Sequence, residues 1–278
     1  MLAGLKEMVE QAARSHCAIA AFNVFGYEDA VAVVQAAERL NAPVILAANV
    51  PAIQHMPFEY LAPILIRAAE TASVPVCVHL DHGKDYAYIE QAIRNGFTSV
   101  MYDGSQLPLA ENIANTREIV KLARRHGVHV EAEIGSVGYS DPSMNMKHEF
   151  SDPEEVETFV AETGIDAVAV SVGTVHRMEV QEATIDFELL KRIESRVQIP
   201  LVIHGSTGVP DEDLRRLVAY RVGKINIGTA IRMAFGKTLR AEMERNPHEF
   251  DRIKLFKKPM EAVREAALNK LKLLGFGE

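Results

Sequence analysis

Cysteine is nearly missing from this chain: Cys17 and Cys77 are the only two in 278 residues. Two cannot build a disulfide framework, and both lie in apolar, strand-like stretches. They read as reduced core residues of a cytoplasmic protein. An excess of positive charge is missing too. The formal net charge of −8 supplies no basic surface for non-specific nucleic-acid binding. No window reaches the apolar length of a membrane span, and Met1-Leu2-Ala3-Gly4-Leu5-Lys6-Glu7 lacks the apolar core of a signal peptide, so no membrane role is expected. There is no low-complexity tract and no linker that would divide the chain. No Gly-x-Gly-x-x-Gly follows the first apolar run, which tells against a doubly wound dinucleotide fold.

What is present is a globular composition, 48% hydrophobic and 24% charged, in a chain long enough to bury a sizeable core. After an amphipathic helix over residues 2–15, short apolar runs alternate with helical periodicity. The runs are residues 18–24, 44–48, 76–80, 99–103, 129–134, 167–172, 201–204 and 224–227. Helical patterns cover 28–40, 58–71, 85–95, 108–126, 153–163, 187–196, 211–220 and 229–244, and an additional C-terminal helix covers 257–274. Ser151-Asp152-Pro153-Glu154-Glu155 is a helix start, with a cap residue, a proline and acids. Eight strands in strict alternation with helices predict an α/β fold, a (β/α)₈ TIM barrel with extra N-terminal and C-terminal helices, in one domain over residues 1–278. Residues 135–152 break the pattern: a long polar connection where such loops usually have about 2–6 residues. A lid is the functional reading and a plain insertion the alternative.

In such a barrel, chemistry gathers where the strands end. Read in order, those ends carry Asn23, Asn49, Asp81-His82, Asp103, Glu133, His176, His204 and Asn226. Three imidazoles from three strands with an open fourth position form a catalytic zinc site, which points to His82, His176 and His204. The other histidines read as helix-end or loop residues, with His129 at the opposite end of its strand and His79 as a buried packing or supporting residue. After the last two strands come His204-Gly205-Ser206-Thr207-Gly208 and Asn226-Ile227-Gly228-Thr229. Small and hydroxyl-bearing residues there let backbone N–H groups approach a phosphate at a helix start. Zinc beside a phosphate site suits a phosphorylated hydroxyketone: the metal would polarise the carbonyl and stabilise an enediolate. Asp81, next to a zinc ligand, is the candidate acid–base at the aldehyde-derived hydroxyl. Schiff-base chemistry would need a lysine at a strand exit. Lys224 opens its strand, and Lys84 beside Asp85 reads as solvated.

On these residues the chain resembles the class II, zinc-dependent ketose-bisphosphate aldolases over nearly its whole length, closest to the tagatose- and fructose-bisphosphate branch. The motifs are Ala21-Phe22-Asn23, Ala42-Pro43-Val44-Ile45-Leu46, His79-Leu80-Asp81-His82, Ser99-Val100-Met101-Tyr102-Asp103-Gly104-Ser105, Val130-Glu131-Ala132-Glu133-Ile134-Gly135, Gly173-Thr174-Val175-His176, His204-Gly205 and Lys224-Ile225-Asn226-Ile227-Gly228-Thr229. The resemblance implies a lyase that splits a phosphorylated ketose into dihydroxyacetone phosphate and an aldehyde. One Zn²⁺ would be bound by His82, His176 and His204, often with a monovalent cation (Na⁺ or K⁺) in addition. Asp81 would be the proton donor to the aldehyde oxygen. Asp103 and Glu133 would hold a displaced metal or support it, Gly205, Ser206, Thr207, Asn226, Ile227, Gly228 and Thr229 would bind the ketone phosphate, and Asn23 is a further candidate substrate-binding residue. A homodimer or homotetramer is implied.

Three departures stand out. The family usually has glycine after the second zinc histidine, where this chain has Arg177, a candidate contact to an anionic substrate group. The family's long loop carries a glutamate that removes the ketose proton; counted from Glu133, Asp141 stands there. A stretch often rich in serine or glycine is here Ala47-Ala48-Asn49-Val50. A non-standard substrate, carboxylated or monophosphorylated, is therefore an alternative. A zinc barrel hydrolase is another, although the first strand ends in Phe22-Asn23-Val24 and not His-x-His. A non-catalytic sugar-phosphate-binding protein is the third.

Overall fold

The computed structural model describes residues 1–140 and 147–277. In chain order its first elements are α1 (Leu5–Arg14), β1 (Ile19–Asn23), α2 (Tyr27–Arg39), β2 (Val44–Asn49), α3 (Val50–His55), α4 (Phe58–Thr71) and β3 (Val76–Gly83). Then come α5 (Tyr86–Arg94), β4 (Ser99–Tyr102), α6 (Leu109–Arg125), β5 (His129–Ile134), β6 (Gly138–Tyr139), α7 (Pro153–Thr163) and β7 (Ala167–Val170). The chain ends with β8 (Val175–His176), α8 (Phe187–Arg196), β9 (Leu201–Ile203), α9 (Asp211–Leu217), β10 (Val222–Ile227), α10 (Thr229–Arg245) and α11 (Arg252–Leu273).

Eight strands close into a parallel barrel in the order β1-β10-β9-β7-β5-β4-β3-β2. The strands are short and buried on both faces, as parallel strands covered by helices must be. Alternation divides their side chains into two cores. Outward residues such as Phe22, Leu46, Val78, Val130 and Val168 pack against the helices. Inward residues Ile19, Ala21, Ile45, Ala47, Cys77, Met101, Ala167, Ala169 and Val202 form the barrel floor, which α1 plugs with Leu5, Met8, Val9 and Ala12. Above that floor the inward layer turns polar: His79, Ser99, Glu131 and Lys224 are all fully buried. The apolar floor therefore carries a charged tier, with the strand exits above it.

The eight expected barrel strands and their helices are present, with four local differences. First, the strand over 167–172 stops at Val170, and His176 lies beyond it on β8, which pairs with β6 as a separate two-stranded sheet. Gly173, at φ 111°, turns the chain between the two. Second, α3 was not legible as a helix: Asn49 caps it by accepting from the Ala52 N–H at 3.1 Å, and Pro51 stands in its first turn. His55, read as a loop residue, ends it. Third, α11 begins at Arg252, where Asp251 caps it, and runs through Pro259, a residue that in sequence reads as a boundary. Finally, Lys224 does not open β10. It is the third residue of the strand and points into the barrel.

Candidate active site

The strand β3 carries the site's first two residues to one place by a local irregularity. Its register against β4 shifts between Leu80 and Gly83, and His82 sits at φ 51°, left-handed backbone that a non-glycine residue adopts at a cost of about 1–3 kcal/mol. The kink brings Asp81 and His82, neighbours that a regular strand would send to opposite faces, into the same pocket.

The three predicted histidines meet. His82 Nε2 and His204 Nδ1 are 2.9 Å apart. The rings of His176 and His82 are 5.0 Å apart between centroids, and those of His176 and His204 5.8 Å. One nitrogen from each lies within 4.8 Å of the other two. The second ring nitrogens of His82 and His204 each meet a carboxylate. His82 Nδ1 meets Asp103 at 3.0 Å, and His204 Nε2 meets Glu131 at 3.0 Å. Glu131 in turn is held by Lys224 at 2.8 Å, with His79 Nδ1 anchored on the Ser99 hydroxyl at 2.9 Å. Such partners fix imidazole orientation and leave one nitrogen of each ring aimed at the centre.

Charge follows from this packing. Burial alone would lower His82, but Asp81, Asp103 and Glu133 raise it to about 10. Burial, then the charge of His82, keeps His176 well below its ordinary value, and burial lowers His204. Burial, then Asp103, pushes Glu133 up to about 8. Against burial, His82 and His204 hold the Asp81 carboxyl well below the usual carboxylate range. Asp81 is thus an ionised acid, and both its oxygens are occupied: Asn23 donates at 2.7 Å and Asn226 at 2.8 Å.

A pocket of about 380 Å³ opens over this cluster, lined by Asn23, Asp81, His82, His176, Gly205, Ser206, Thr207, Asn226, Gly228, Thr229 and Arg177, among others. Gly205, at φ 67°, lies where any Cβ would meet the Val175 backbone at 2.7 Å. The Ser206 hydroxyl donates to the Asn226 carbonyl, and the Thr207 hydroxyl accepts from the Ala230 N–H at 3.2 Å. The two predicted phosphate loops are thereby tied together at the start of α10. Ile227 is different. Its side chain packs in the outer core, so only its backbone faces the loops. Asp141 lies outside the described residues. Glu149 is exposed and pairs with Lys147.

Sequence reasoning missed Tyr139, whose ring lies 4.7 Å from His176, and Arg232 on the pocket wall. It also gave no role to Glu131. Two signals were available: Glu131 shares a strand face with Glu133 by period two, and Arg232 falls one helical turn after Thr229.

The donor set suits zinc. Two imidazole nitrogens facing each other at 2.9 Å, with a third close by, are the ligand type and number of a catalytic zinc site with an open position. His82, Asp103 and Glu133 form a second, overlapping group, and Glu133 Oε2 is buried without a hydrogen-bond partner among the described residues.

Comparison with known proteins decides the family. The family model described as "Fructose-bisphosphate aldolase class-II" matches residues 3–277. The chain belongs to this family. It is therefore an enzyme, an aldolase of the carbon–carbon lyase type. Among its relatives, a "6-phospho-5-dehydro-2-deoxy-D-gluconate aldolase" of Bacillus licheniformis is 36% identical over 274 residues, covering 98% of this chain and 94% of the relative. A "Fructose-bisphosphate aldolase" of Geobacillus stearothermophilus is 35% identical, covering 99% and 97%. The crystal structure of the YdjI aldolase from Escherichia coli K12 superposes with a TM-score of 0.87 at 32% identity, covering 100% and 98%. The class-II aldolase barrel is thus shared from end to end. No helix among the described residues is long and apolar enough to cross a membrane.

Proposed function

We propose that this aldolase cleaves a phosphorylated ketose reversibly into dihydroxyacetone phosphate and an aldehyde, with one Zn²⁺ held by His82, His176 and His204. The observation that carries the reading is Asp81: a buried carboxylate, gripped between Asn23 and Asn226, beside three converging imidazoles. When bound there, zinc polarises the ketone and stabilises the charge left on the ketone fragment.

The residues divide the remaining work. In cleavage, Asp81 takes the proton from the hydroxyl on the carbon that becomes the aldehyde, and in condensation it returns that proton to the aldehyde oxygen. Asn23 and Asn226 fix the carboxylate's direction through both oxygens. Asp103 and Glu131 orient His82 and His204, and Glu133 stands beside Asp103 as an alternative metal contact. Backbone N–H groups of Gly205, Ser206 and Thr207, with those of Gly228 and Thr229, receive the ketone phosphate at the start of α10. Asp141, in the role of the family's loop glutamate, exchanges the proton on the ketone carbon; Glu149, paired with Lys147, suits that role less. Supply of a monovalent cation, a cytoplasmic setting and assembly as a homodimer or homotetramer complete the proposal.

Two relatives of nearly equal identity carry different substrate names, so likeness does not select the ketose. A panel of phosphorylated ketoses and ketonic acids, each assayed for dihydroxyacetone phosphate release with zinc present and then chelated, tests the reading. Release from one or more sugars, lost on chelation, is expected. No release from any, or release indifferent to chelation, contradicts it.

A further inference from the structure

The three converging histidines are not held alike. His82 stands on a barrel strand and His204 directly after one, and each has a carboxylate at 3.0 Å behind it. Partners of that kind commonly account for about 10–100-fold in metal affinity. His176 has neither advantage. Among the described residues no hydrogen bond reaches its ring, and it lies six residues beyond the end of β7, on the two-residue β8 outside the closed barrel. A ligand so placed needs another means of orientation.

Strand β6 supplies one. It runs parallel to β8 with Gly138 opposite Val175 and Tyr139 opposite His176, and the Ser140 N–H donates to the His176 carbonyl at 3.0 Å. The backbone of His176 is thereby tied from the β6 side. Residues in register project to the same face of their strands, and here the side chains continue the pairing. The Tyr139 ring lies 4.7 Å from the His176 ring between centroids, with the planes 31° apart, inside the range of an offset-stacked pair. His82 and His204 meet the same imidazole at 75° and 84°, so the stacked contact belongs to Tyr139. Stacking covers a face of the imidazole, whereas the lone pair that binds a metal lies in the ring plane. The contact can therefore fix that plane without occupying a nitrogen. The Tyr139 hydroxyl makes no hydrogen bond among the described residues, which leaves the ring as the engaged part. The Arg177 guanidinium, 6.0 Å from the centroid of the same ring, adds a contact at the outer limit of cation–π distance.

We propose that Tyr139 is a positioning residue for the third zinc ligand: its stacked ring, delivered by the β6–β8 pairing, holds the His176 imidazole in the orientation that binds metal. An aromatic face does for His176 what Asp103 and Glu131 do for His82 and His204. The proposal rests on the zinc reading above and deepens it. Because Tyr139 belongs to the long connection after β5, that connection takes part in holding the metal.

Two variants test it. Tyr139→Leu keeps much of the bulk and removes the ring, while Tyr139→Phe keeps the ring and removes only the hydroxyl. Tyr139 is half-buried, so the metal-free variants should fold with a Tm near that of the wild type. Zinc affinity, measured by competition with a chelator, should fall about 3- to 10-fold in Tyr139→Leu, the fold-change an aromatic pair can supply. It should stay at the wild-type value in Tyr139→Phe. A second readout needs no metal. In histidine-labelled, metal-free protein, the His176 ring-proton resonances, identified by their loss in His176→Gln, should be shifted upfield by the stacked ring in the wild type and in Tyr139→Phe. They should move downfield in Tyr139→Leu. Wild-type zinc affinity in Tyr139→Leu overturns the proposal, and so does an equal loss in Tyr139→Phe, which would transfer the effect to the hydroxyl. If the wild-type protein takes up no zinc, the zinc reading fails, and the resonances still decide whether Tyr139 positions His176.

Discussion

Replacing Asp81 by asparagine removes one proton acceptor while preserving almost every atom, and the surroundings of Asp81 define what should follow. The carboxylate accepts from Asn23 at 2.7 Å and from Asn226 at 2.8 Å. An amide in its place offers one oxygen and one NH₂ group, so one of these contacts becomes donor against donor. A buried donor left unpaired costs about 1–3 kcal/mol. Here a remedy is at hand: Asn226 Oδ1 has no hydrogen-bond partner among the described residues, and turning that amide presents it to the new NH₂. The stability loss should therefore fall at the low end of that range, and the protein should remain folded with zinc bound. Chemistry should suffer far more. Loss of a positioned acid–base group slows reaction by roughly 10²–10⁴-fold, which is about 2.7–5.4 kcal/mol of barrier at 1.36 kcal/mol per decade. The assay is initial-rate ketose cleavage set beside exchange of solvent deuterium into dihydroxyacetone phosphate. Exchange involves no aldehyde oxygen and should persist. Cleavage at near wild-type rate in zinc-replete Asp81→Asn would refute the assignment.

Other expectations rest on the same cluster. His204→Ala should lose zinc, measured by metal analysis, together with activity; full occupancy would remove His204 from the ligand set. In the metal-free protein, Asp81, Asp103 and Glu133 raise His82 to about 10 despite burial, so at pH 8 it is protonated. Zinc must displace that proton. Calorimetry in buffers of different ionisation enthalpy should find about one proton released from His82 per zinc, with affinity rising as pH increases toward 10 and levelling above it. Pushed up to about 8, Glu133 adds a fractional release near that value. Zinc uptake without proton release would contradict the charged state of His82. Gly205→Ala should cripple ketone-phosphate binding and lower Tm, since φ 67° and a Cβ contact at 2.7 Å with Val175 force the loop to move. An unchanged KM would show that this loop is not the phosphate site.

Most of the barrel was legible because each strand is a short apolar run closed by a polar residue, and each helix keeps its own period. The same pattern exposed Asp81, His82 and His204, which stand directly at strand exits. His176 was singled out for a partly mistaken reason. Its strand ends six residues earlier, and a separate pairing of Gly138–Tyr139 with Val175–His176 delivers it. Such two-residue pairings leave no periodic trace. The buried ion pair of Lys224 with Glu131 was hidden for a related reason, because inward and outward positions on a doubly buried strand look alike in sequence. The positive φ of His82 and Arg177 was also invisible, since only a glycine would have announced it.

The claim at the centre is that one zinc, held by three histidines, makes Asp81's proton transfer productive. Titrating Zn²⁺ into metal-free enzyme while following ketose cleavage tests this most directly. Activity should rise from near zero and saturate at one zinc per chain. Cleavage in the metal-free protein at the fully loaded rate, or saturation with no dependence on zinc, would contradict it.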